Sequence, residues 1–239
     1  RDRAACAKTV FNQAKQHGAK GDGFDQIEKK LGATPSKNSN TQEPPQDQSQ
    51  SVANLYTQGQ YQEALDQASQ LLKQFPRSVN LFIILGAVNQ SLGKLDKAIE
   101  AYTKAISIKP DYADAYNNMG NALKEQSKLD EALEAYNKAL TIKPDYAEAY
   151  NNMGNALREQ GKLKEAIDAY TKASSIKPGF AEAHYNMGIS LHEQGKLGEA
   201  IDAYTKASSI KPDYAQAFIN MGVVLKGTIF TKPNRDLQK

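Results

Sequence analysis

From about Ser51 onward, apolar residues recur at i, i+3, i+4 and i+7, in blocks separated by short polar stretches that contain Gly or Pro. Between 147 and 180 the first block places Tyr150, Met153, Gly154 and Leu157 on one face of a helix advancing 100° per residue. A second block, Leu163, Ala166, Ile167, Tyr170 and Ala173, gives the buried stripe of another helix. Gly161 lies between them and supplies the permissive backbone that a tight turn needs. Pro178 cannot continue the second helix and stops it. The pattern therefore predicts a helix, a turn and an antiparallel helix. Gly154, with no side chain, is expected to let the partner helix approach closely.

The blocks themselves repeat. The string Ala-Tyr-Asn-Asn-Met-Gly-Asn-Ala-Leu begins at Ala115 and again at Ala149, a step of 34 residues. The same step links Met119, Met153, Met187 and Met221, and also Tyr102, Tyr136, Tyr170 and Tyr204. It links Pro110, Pro144, Pro178 and Pro212, and the glycines at 86, 120, 154, 188 and 222. A unit whose two helices cannot bury both faces alone must stack on its neighbours. The fold class predicted is all-α, a solenoid of antiparallel helix pairs over residues 52–226.

With its aromatic, apolar-Gly, Leu, Ala, aromatic, Ala and Pro positions, this unit resembles the tetratricopeptide repeat. In 147–180 those positions are Tyr150, Met153-Gly154, Leu157, Ala166, Tyr170, Ala173 and Pro178. His184 replaces the first aromatic in 181–214, and Asn89 replaces the leucine in 79–112. The segment 45–78 is a weaker copy, with Ala68 where Tyr is expected. The resemblance implies a right-handed superhelix with a concave groove that binds protein or peptide.

The ends do not follow the period. Residues 1–32 predict two short amphipathic helices, carrying Val10 and Phe11 and then Phe24, Ile27 and Leu31. Residues 33–51 contain no large apolar side chain and predict a flexible linker. After Ala215 only a first helix is recognisable, and the pattern breaks at Gly227. The tail 227–239 is read as the start of a further domain, and Arg1 in place of Met as a sign of a fragment. Met221, Val224 and Leu225 would then be exposed at a C-terminal edge through which copies could associate.

Charge changes the picture little. Thirty basic and 27 acidic residues give a net charge of +3, with no long basic run, so nucleic acid and membrane surfaces are not expected partners. No stretch approaches the roughly 18 apolar residues of a membrane span. One cysteine, Cys6, allows no internal disulfide, and with no visible export signal the cytoplasm is the expected compartment. His184 and His192 are eight apart, a poor spacing for a metal pair without a third ligand. No phosphate loop or nucleophile–base pair is apparent, so neither cofactor nor catalytic site is expected in this chain.

The candidate site is the face opposite the first helix's buried stripe. Numbered from Ala147 as position 1, position 6 reads Ile84, Asn118, Asn152, Asn186 and Asn220 down the repeats. Position 5 adds Asn117 and Asn151, and position 9 adds Asn121 and Asn155. A carboxamide offers a donor and an acceptor side by side, so a row of them can pair with an extended backbone. The row resembles the asparagine ladder of O-linked N-acetylglucosamine transferases. Position 12 contributes Lys124, Arg158 and His192 to the same groove, with Glu125, Glu159 and Glu193 beside them at position 13. Positions 2 and 5 hold no Lys or Arg, so the family's carboxylate clamp for acidic C-termini is missing. The expected function is a scaffold for an extended peptide or helix. The alternative is the substrate-recruiting arm of a glycosyltransferase or sulfotransferase-like enzyme, domain combinations found in bacteria. Replacing Asn118, Asn152, Asn186 and Asn220 by Ala is expected to leave stability nearly intact.

Overall fold

The computed structural model describes residues 43–231, with side chains through Lys226. The helices expected within 1–32, the linker up to 42 and the tail beyond Thr231 lie outside the described residues.

Eleven helices and no strand occur among the described residues. They are α1 (Gln46–Thr57), α2 (Tyr61–Gln74), α3 (Val79–Ser91), α4 (Leu95–Ile108), α5 (Ala113–Glu125) and α6 (Leu129–Ile142). The series continues with α7 (Ala147–Glu159), α8 (Leu163–Ile176), α9 (Ala181–Glu193), α10 (Leu197–Ile210) and α11 (Ala215–Thr231). Consecutive helices pack on each other, and each odd-numbered helix from α3 also touches the odd-numbered helix before it. The result is the all-α solenoid read from the repeat.

Turns fall where the period puts glycine. Gly59, Gly93, Gly161 and Gly195 all have positive φ, from +70° to +77°. Ser127 occupies the same register at φ 60°, the one non-glycine residue with positive φ among those described. After each later second helix, a lysine lies over the aromatic ring three residues on, as Lys143 does over Tyr146 at 4.3 Å.

The core is built from small residues meeting one large ring. Ala98, Ala132, Ala166 and Ala200 are wholly buried, and so are Tyr136 and Tyr170. A Cβ added at Gly154 would lie 2.6 Å from Cε1 of Tyr170, and Gly86, Gly120 and Gly188 stand equally close to Tyr102, Tyr136 and Tyr204. The first repeat inverts the pair. Val52 stands at the glycine position and Ala68 at the tyrosine position, both fully buried. Bulk has moved from one helix to the other, so the weak copy still packs.

Two boundaries differ from the sequence reading. Helix α1 begins at Gln46, inside the segment expected to be linker, and Glu43 just before it is also engaged. The Val79 N–H donates to Glu43 Oε1 at 2.8 Å, and the Ser78 hydroxyl donates to the other carboxylate oxygen. A carboxylate at the start of α3 meets unsatisfied N–H groups and the positive end of the helix dipole. The absence of large apolar residues concealed an electrostatic anchor. At the other end, α11 runs through Gly227 to Thr231 where the pattern seemed to break. Glycine weakens a helix by only about 1 kcal/mol. The turn position itself, glycine in four repeats, is Ile229 here, and a β-branched residue resists the left-handed conformation that would end the helix.

Candidate functional site

The odd-numbered helices line one face of the stack, and their polar side chains form bonds that run from repeat to repeat. Asn152 donates through Nδ2 to Asn117 Oδ1 at 3.0 Å, and Asn186 donates to Asn151 Oδ1 at 3.0 Å. Asn220 continues the series onto the Tyr185 hydroxyl at 3.1 Å. Each bond joins position 5 of one repeat to position 6 of the next. Asn118 stands one step earlier, where position 5 of the preceding repeat is Ile83, and it accepts from its neighbour Asn117 at 3.4 Å.

This bonding buries part of the row. Asn117, Asn151 and Asn186 are 5%, 2% and 7% exposed, whereas Asn118, Asn152 and Asn220 remain half-buried. Asn121 and Asn155, also half-buried, accept the hydroxyl hydrogens of Tyr136 and Tyr170 at 2.7 and 2.8 Å. Burial raises both phenol pKa values. The asparagines therefore tie the repeats together as well as lining the groove. Truncating four of them strips inter-repeat hydrogen bonds, so the expectation of unchanged stability is corrected. The Oδ1 atoms of Asn152 and Asn186 have no partner among the described residues and remain able to accept.

Position 12 meets position 13 of the following repeat in the same manner. Lys124 pairs with Glu159 at 3.3 Å, and Arg158 with Glu193 at 3.8 Å. The glutamates neutralise the basic row as the sequence suggested, but they act from the next repeat along. His192 is exposed and has no such partner among the described residues. Sequence reasoning missed the first member of the series, in which Gln90 donates to Glu125 Oε1 at 2.6 Å and accepts from the Tyr102 hydroxyl at 3.1 Å. A cavity of about 500 Å³ opens there, lined by Tyr56, Ala87, Gln90, Tyr102, Asn118 and Glu125 among others. The signal was present as the 35-residue offset between positions 12 and 13.

The fold departs from this order at Tyr204. Position 9 of its repeat is Ile189, so the buried Tyr204 hydroxyl lacks the acceptor that Tyr136 and Tyr170 possess. Its polar neighbour Asn220 presents its amide donor to Tyr185 and to Tyr204, while its Oδ1 accepts from Gln216 and offers Tyr204 no acceptor. His184, in the packed stripe at position 4, is held below the ordinary imidazole pKa by burial, and its Nδ1 has no hydrogen-bond partner.

The tetratricopeptide-repeat family model matches residues 90–127, 120–157, 154–195 and 188–228, and a second model of the same repeat matches 50–78. The chain belongs to the tetratricopeptide-repeat family. Among solved structures it is similar to MamA, at 28% identity and a TM-score of 0.61 over 69% of this chain and 96% of that one. YrrB, described as a TPR protein with an unusual peptide-binding site, shares the fold at 21% identity and a TM-score of 0.57, covering 75% and 93% of the two chains. A probable UDP-N-acetylglucosamine–peptide N-acetylglucosaminyltransferase of Arabidopsis thaliana is 31% identical over 68 residues. That match spans 28% of this chain and 7% of the plant protein. No helix among the described residues is long and apolar enough to cross a membrane.

Proposed function

We propose that this chain is a non-enzymatic binding module that holds an extended peptide segment along the groove of α5, α7 and α9. Tetratricopeptide repeats mediate protein–protein interaction, and the observation that carries the finer reading is the row of carboxamides. Asn152 and Asn186 each use a donor within the fold yet keep an acceptor for a peptide N–H. The repeat-to-repeat bonds hold the row in a fixed spacing, which lowers the ordering cost of binding. Lys124 and Arg158 are already paired with glutamates, so the groove reads backbone more than acidic side chains.

Panning a random dodecapeptide library against the full chain tests this. Selected peptides should cross-link to a photoreactive residue at exposed His192 and not to one at Lys138 on α6. Cross-links from Lys138 alone would place the binding surface elsewhere and end the groove reading.

A second reading rests on the similarity to the plant transferase, in which this groove would recruit substrates for a catalytic domain encoded beyond Lys239. The reading frame downstream decides it. Self-association through α11 has its own support, although Val224 of the expected edge is buried at 1% exposure: Phe218, Ile219 and Val223 are 47%, 57% and 57% exposed instead. A Val223→Lys variant should lower the light-scattering mass if copies pair there. An unchanged mass removes that reading.

A further inference from the structure

We infer that the cavity at the N-terminal end of the groove is a cation subsite that takes a lysine or arginine side chain of the bound peptide, with Glu125 as its counter-ion. The inference rests on the groove reading and names what that groove selects.

At this end the repeat departs from its own pattern. At the position 12 to position 13 step, Lys124 and Arg158 neutralise Glu159 and Glu193. One repeat earlier the cation is replaced by Gln90, which bonds to Glu125 but carries no charge. No lysine or arginine among the described residues forms an ion pair with Glu125. Lys124, its chain neighbour, is committed to Glu159. Glu125 is exposed, and its Oε2 has no hydrogen-bond partner among the described residues.

Two further departures make room beside that carboxylate. Position 9 is Ala87 where the next two repeats have Asn121 and Asn155, and this smaller side chain leaves space against Tyr102. Position 12 of the first repeat is Tyr56, another wall of the cavity, and its ring leans on Tyr61 at 5.7 Å between centroids. A cation there would meet a carboxylate, aromatic faces and the Asn118 carboxamide. Each of these favours ammonium or guanidinium. Tyr102 and Gln90 hold Glu125 by a chain of hydrogen bonds, so the acceptor is positioned before the ligand arrives. At the far end of the groove His192 faces no position 13 glutamate, because the matching position of the following repeat is Gly227. The groove is therefore polarised, with its unpaired negative charge at the N-terminal repeats.

The test uses the labelled full chain and four probes: the N-acetyl amides of arginine, lysine, norleucine and glutamate, titrated by amide chemical shifts. The arginine and lysine probes should shift Ser91, Glu125 and their neighbours, and bind about tenfold more tightly than norleucine, as expected for a charge-assisted hydrogen bond. Added salt should weaken them. Glu125→Gln and, separately, Gln90→Lys should remove the discrimination while leaving the remaining spectrum in place. Equal binding of norleucine, or discrimination that survives Glu125→Gln, overturns the proposal. The dodecapeptide library separates the two readings. Peptides that cross-link to the groove without discrimination among the amides sink the subsite alone. Discrimination among the amides with no groove cross-links sinks the peptide reading, and with it the assignment of this pocket to a peptide side chain.

Discussion

Five glycines share one register, and the structure predicts opposite outcomes for the same substitution within that set. At Gly154 an added Cβ would stand 2.6, 2.8 and 2.9 Å from three ring atoms of Tyr170. Carbon atoms settle at about 3.5–4.0 Å, so ring or helix must move by nearly 1 Å. Tyr170 is wholly buried and hydrogen-bonded to Asn155, and it cannot swing away without losing that bond. Overpacking costs about 1–3 kcal/mol and the strained hydrogen bond about 1 more. The gain in helix propensity from Gly to Ala returns about 1. Gly154→Ala should therefore destabilise by roughly 1–3 kcal/mol. At Gly222 nothing lies within 4 Å of the added Cβ, and no helix follows α11 among the described residues. Gly222→Ala should be neutral or stabilising by up to about 1 kcal/mol. Urea unfolding followed by circular dichroism, fitted with a nearest-neighbour model suited to repeat arrays, reads the gap. A Gly154→Ala protein as stable as wild type would refute the packing argument, as would a Gly222→Ala protein damaged equally. The first repeat supplies a further check. If bulk can be exchanged across this contact as Val52 and Ala68 exchange it, Gly154→Val with Tyr170→Ala should cost less than the two single changes summed, by about 1 kcal/mol or more.

Three other outcomes follow from positions where one repeat differs from its neighbours. Tyr170→Phe should cost about 1 kcal/mol, whereas Tyr204→Phe should cost nothing or stabilise, because it deletes a buried hydroxyl without an acceptor; equal losses on urea unfolding would contradict this. Ser127→Gly should stabilise by about 0.5–1 kcal/mol through relief of the left-handed conformation, read as a raised urea midpoint. Burial lowers the His184 pKa, so the folded protein takes up that proton at lower pH than the unfolded chain does. Its stability is full above about pH 6.5 and declines as pH falls below that value. His184→Tyr, restoring the aromatic of other repeats, should flatten melting temperature between about pH 7 and 5, and an unchanged slope would assign the effect to other groups.

The repeat made the helices, turns and core legible because identical spacing recurs at each level, from Gly161 at the turn to Tyr170 against Gly154. It was less informative where a contact crosses between units. Asn117, Asn151 and Asn186 read as exposed groove residues because helical phase places them opposite the packed stripe. They are buried by the neighbouring repeat, which a single-helix projection does not contain. Glu125 was read as one of three equivalent glutamates, and only the bond from Gln90 showed that its partner lacks charge. Glu43 lay in a segment whose composition argued against order, and a carboxylate capping a helix more than thirty residues away leaves no trace in hydrophobic periodicity.

The bonds between repeats all run from a fixed position in one unit to a fixed position in the next, so each central unit carries both halves of its junction. If residues 147–180 were deleted, Asn117 would meet Asn186 and Lys124 would meet Glu193, reproducing the pairings that exist now. Duplication of the same stretch would also create no novel seam. Unequal crossing-over between near-identical repeats can therefore lengthen or shorten this protein without a compensating mutation. Each event adds or removes one carboxamide rung while the Glu125 end stays as it is. The length of the recognised segment can evolve in whole steps, independently of the pocket that would fix where it starts.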